Sequence, residues 1–127
     1  MGTTEHHSPS LASDLLAEAD AGLAFFRGVP YASISQRWTQ SQLRDSLPSK
    51  FDATKFGPKC LQPPHISVIP VSVEAPAVEI NEFKCLNLNI TAPLETLPGR
   101  DEKKTSRLLP VMVWVHGCVS FIINSCL

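Results

Sequence analysis

The segment Leu109–Gly117, LPVMVWVHG, constrains the fold more than any other part of this chain. From Val111 to Val115 every position is apolar, three of the five are Val, and neither period two nor helical spacing is present. A strand with one wet face alternates apolar and polar residues. An unbroken run suits a strand covered on both faces, as in the middle of a mostly parallel sheet clothed by helices. The run ends in His116-Gly117, where a loop is expected to begin.

The rest of the chain is compatible with a single domain. Its 127 residues carry a net charge of −1 and are 43% hydrophobic, enough for a core but without a basic patch,. Nucleic acid is therefore excluded as a partner class. The densest charge cluster, Arg100-Asp101-Glu102-Lys103-Lys104, mixes signs and reads as a solvated loop,. Met1–Ser10 has no apolar h-region, so no secretory signal is read there and the cytosol is the default address,. The segment reads instead as a disordered tail, and its His6-His7 pair has no Cys or acid cluster to complete a metal site,.

Local propensity predicts a short helix over 11–21, with Ser13 as N-cap and Gly22 just past its end,. Leu23–Tyr31 reads as a strand entering a turn at Gly28–Pro30,. Five prolines between 58 and 76 predict an irregular surface loop,. Leu86–Thr91 alternates with period two, as a half-buried strand does,. Asn89-Ile90-Thr91 matches a glycosylation sequon but sits inside that strand, a poor acceptor, and is set aside.

A search for chemistry finds little. No two glycines lie four apart, so the G-x-S-x-G nucleophile elbow is absent,. There is no C-x-x-C, P-loop or G-x-G-x-x-G, and His65 stands among prolines with no ligand partner,. No metal and no cofactor are expected. From these residues alone the chain is an α/β or α+β domain without a recognisable site.

Four short segments, taken in order, say more. Phe26-Arg27-Gly28-Val29-Pro30-Tyr31-Ala32 with Arg37-Trp38, then Phe51-Asp52-Ala53-Thr54-Lys55-Phe56-Gly57-Pro58-Lys59-Cys60-Leu61-Gln62, then Cys85-Leu86-Asn87-Leu88-Asn89-Ile90, then Leu109–Gly117. Together they resemble the carboxylesterase (type B) family, which includes the cholinesterases, and the form of the third segment resembles fungal-type members. The resemblance implies a truncated α/β-hydrolase: an α/β fold, here the N-terminal strands of its central sheet joined by long irregular loops. It implies β-hairpin strands near residues 11–31, against the local helix propensity; together the two favour extended structure from Leu23 onward and leave 11–21 open between helix and strand. It also implies a Cys60–Cys85 disulfide and a salt bridge from Arg37, with Glu82 one place earlier than the cholinesterase-like pattern puts the acid.

In the family, His-Gly is followed by further glycines whose backbone N–H groups hold the oxyanion, a contribution of about 3 kcal/mol per donor. Here the remnant of that loop is His116, Gly117 and Cys118, followed by Val119, a residue poorly suited to positive φ,. The resemblance thus assigns 1–117 to the N-terminal part of the hydrolase domain, with 1–21 least determined, and leaves 118–127 as a non-family tail. Val119-Ser120 can be encoded as a splice-donor sequence, so read-through of an intron is one expected origin for that tail. The catalytic Ser, acid and His follow the oxyanion loop in this fold. The chain is therefore expected to hydrolyse nothing alone, its ester substrate belonging to a full-length parent, and to aggregate or self-associate. The competing expectation is a small tail-anchored membrane protein spanning the bilayer with 108–127.

Overall fold

The structure is a computed structural model that describes residues 1–61, 77–97 and 109–115. Among the described residues there are seven strands: β1 (Gly2–Ser8), β2 (Ser13–Asp20), β3 (Leu23–Pro30), β4 (Ala32–Ser33), β5 (Gln42–Leu43), β6 (Lys50–Asp52) and β7 (Asn87–Pro93). A 3-10 turn, Leu94–Thr96, follows β7. The main sheet runs β1-β2-β3-β7, antiparallel throughout, and β6 joins it in parallel alongside β2. The short pair β4-β5 stands apart.

Two sequence expectations are overturned at the N-terminus. Residues 13–20 form β2 rather than a helix, and most of Met1–Ser10 is β1 rather than a disordered tail. The two strands pair residue for residue from Gly2 with Ala19 to Ser8 with Ser13. The helix formers of LASDLLAEADA express only a weak local preference, which the sheet's hydrogen bonds and burial override. Within β2 it is Ser13, Leu15 and Ala17 that are buried, at period two. The Ser13 hydroxyl donates to the Pro48 carbonyl at 2.6 Å instead of capping a helix. Gly22 ends no helix either. Ala21 and Gly22, at φ 49° and 80°, close the β2–β3 hairpin, and only a primed turn takes two positive φ values in a row,. The polar make-up of β1 suits an edge strand with one side in water.

The core is small: Leu15, Ala17, Ala24, Phe26, Val29, Leu47 and Ala53, with Leu11, Phe51, Leu94 and Leu97 packed against it. It sits where β6 is wedged between β2 and β3. After Phe25, β3 parts from β2, and the chain at Ala53 fills the gap. Arg27 N–H donates to the Ala53 carbonyl at 2.7 Å and Ala53 N–H to the Leu16 carbonyl at 2.8 Å. The turn expected at Gly28–Pro30 is instead a bulge within one continuous strand. Phe26 pairs with Ile90 and Val29 with Leu88, so Arg27 and Gly28 together face Asn89,.

The other two apolar segments keep their pattern but lack the covering it calls for. On β7, Leu88 and Ile90 are 39% and 44% exposed, so the half-burial expected there is not reached. Val111–Val115 has no strand partner among the described residues and lies 77–89% exposed. A strand needs a neighbour to bond its backbone, and none of the described segments lies beside it. Most of the proline-rich loop (62–76), the charged cluster and residues 116–127 lie outside the described residues. Among those described, no helix is long and apolar enough to cross a membrane.

Candidate functional site

Three of the four family-like segments meet at one point, and two glycines make the meeting possible. Gly28, in the bulge, has φ +64°, a conformation that costs a residue with a side chain about 1–2 kcal/mol,. It also lies against Gly57: a β-carbon on Gly28 would stand 2.6 Å from the Gly57 nitrogen. Gly57 in turn abuts the Asn87 side chain, which a β-carbon on Gly57 would approach to 2.4 Å. The Asn87 amide donates to the Pro58 carbonyl at 3.0 Å and to the Lys84 carbonyl at 3.2 Å. Asn89 completes the junction, its Oδ1 accepting the Gly28 N–H at 2.9 Å. That bond satisfies a donor the bulge removes from the ladder.

Arg27 braces the opposite side of the bulge. Its guanidinium donates to Glu18 and, at 3.2 Å, to the Thr54 carbonyl. The same group lies 5.3 Å from the Phe25 ring centre and 5.0 Å from that of Phe56, within cation–π range of both,. Below it, Asp52 accepts the Thr54 N–H at 3.0 Å and hydroxyl at 2.6 Å. Those two bonds hold the Asp52 carboxyl below the usual carboxylate range.

Sequence reasoning missed Glu18, Arg27, Asn87 and Asn89 as a set. The available signal was two Asn at alternate positions of a strand, a place where Asn is disfavoured unless its amide is used.

The structure brings together both pairs implied by the resemblance. Arg37 Nε donates to Glu82 Oε2 at 2.7 Å and Nη2 to Oε1 at 3.0 Å, a two-pronged ion pair,. The hydrogen bond to Glu82, and then its charge, raise the Arg37 pKa. Cys60 and Cys85 are free thiols, Cys60 exposed and Cys85 partly buried. Burial, followed by a hydrogen bond with Cys60, pushes the Cys85 thiol up. Cys85 Sγ also donates to the Glu82 carbonyl at 3.3 Å, so the cysteine pair and the ion pair share one loop. The oxyanion-loop remnant, His116, Gly117 and Cys118, lies outside the described residues.

None of these groups forms a nucleophile–base pair. Elsewhere, His7 Nδ1 lies 2.7 Å from Asp14 Oδ1, but both side chains are solvated. Among the described residues no three His, Cys, Asp or Glu side chains are placed to hold a metal ion. The arrangement is a scaffold joint.

The joint is built from segments that match a known sequence family: the profile of the Carboxylesterase family aligns with residues 14–125. The chain belongs to the Carboxylesterase family. The family match runs past Gly117, so the profile itself marks no break there. Lipase 1 of Yarrowia lipolytica is 31% identical over 113 residues, which is 87% of this chain and 21% of the lipase. Phenmedipham hydrolase of Pseudarthrobacter oxydans is 32% identical over 109 residues, 84% of this chain and 20% of that hydrolase. The chain thus spans about a fifth of the length of these relatives.

Among solved structures, a thermophilic pNB esterase superposes with a TM-score of 0.65 at 25% identity, over 94% of this chain and 22% of the esterase. Aspergillus niger EstA superposes with a TM-score of 0.53 at 21% identity, over 75% of this chain and 17% of EstA. The fold class is therefore that of the α/β-hydrolase esterases, of which the described residues form a sheet-rich part. The membrane-anchor reading gains no support from any of these matches.

Proposed function

We propose that this carboxylesterase-family chain supplies the N-terminal sheet of a carboxylic ester hydrolase and carries no hydrolysis by itself. The observation that supports the reading best is the Gly28–Gly57–Asn87–Asn89 joint, which gives three family-like segments one common structural purpose. In such a hydrolase the ester is cleaved through an acyl-serine intermediate, with the oxyanion held by backbone N–H groups. This sequence contains no G-x-S-x-G. His116-Gly117-Cys118 is the only stretch that corresponds to the oxyanion loop, and Cys118-Val119 stands where the family carries glycines. On this reading the substrate is an ester taken by a longer parent.

A chimera tests the proposal. Residues 14–115 replace the matching segment of the Yarrowia lipase, and hydrolysis of a short activated ester is measured. Retained hydrolysis is expected. A chimera that folds like the lipase yet hydrolyses nothing would refute the assignment.

A further inference from the structure

We draw no further inference here: the strongest candidate, the side-chain cluster in which the Cys60 and Cys85 thiols meet beside the Arg37–Glu82 ion pair, restates the cysteine pairing that the carboxylesterase resemblance already implies.

Discussion

Gly28 lies so close to Gly57 that a β-carbon on the first would stand 2.6 Å from the backbone nitrogen of the second. Backbone cannot yield as a side-chain tip does, and Gly28 also holds φ +64°. Gly28→Ala therefore meets positive-φ strain and overpacking together, and should destabilise the sheet by at least about 2 kcal/mol. The atoms nearest a β-carbon on Gly57 belong to the Asn87 side chain, which can shift. The cost of Gly57→Ala should be smaller and should couple to Asn87→Ala, the pair costing less than the sum of the singles. Amide exchange at Phe26 and Ala53 reads both effects. Additive costs would show that Asn87 and Gly57 do not press on each other.

The two glycines mark where the sequence was legible. Their segments could be ordered along the chain and likened to a family because each is short and local. What joins them could not be read, since Gly28 needs glycine on account of Lys55 and Gly57, 27 and 29 positions away. The N-terminal hairpin failed for the same reason in reverse. LASDLLAEADA carries helix formers, and only the partners supplied by β1, β3 and β6 make it a strand. The Arg37–Glu82 pair was anticipated through resemblance, with Glu82 out of register, and the loop accommodates the offset.

His6 gives the hairpin a pH dependence. Its ring meets the Phe26 ring edge-on at 6.0 Å, and burial, then the neighbouring His7, lower its pKa below the ordinary 6.5. The folded state thus resists the proton that the unfolded chain accepts. Its contribution is complete above 6.5 and is lost as pH falls through the lowered folded value. Exchange protection of β1 should weaken on going from pH 8 to pH 5. His6→Phe, which keeps an aromatic edge and removes the proton site, should flatten that part of the profile. An unchanged profile would assign the effect to other groups.

Cys60 and Cys85 should differ as nucleophiles. Cys60 is exposed, whereas burial and the Cys60 hydrogen bond keep the Cys85 thiol protonated to higher pH. Iodoacetamide near pH 8 should modify Cys60 first, because the thiolate is the reactive form. Mild oxidation should join the two, and closing a loop of this size contributes about 3 kcal/mol in the chain-entropy view. Peptide mapping checks both. Faster labelling of Cys85, or its oxidation to a different partner, would contradict the geometry.

The exposed run Val111–Val115 should dominate the solution behaviour of the chain. Five adjacent apolar residues, all at least 77% exposed, form the kind of surface that draws chains together,. Val113→Asp should raise the monomer fraction in sedimentation while leaving β1–β3 exchange unchanged, since it breaks the run at its centre. Equal self-association of the variant would place the sticky surface elsewhere.

The central claim is that this chain carries the esterase scaffold without the esterase chemistry. Incubating the purified chain with a short activated ester tests it most directly. The rate should equal that of buffer, because among the described residues no serine is paired with a base that could activate it to form an acyl intermediate,. Turnover above buffer that a serine-reactive phosphonate abolishes would contradict the account.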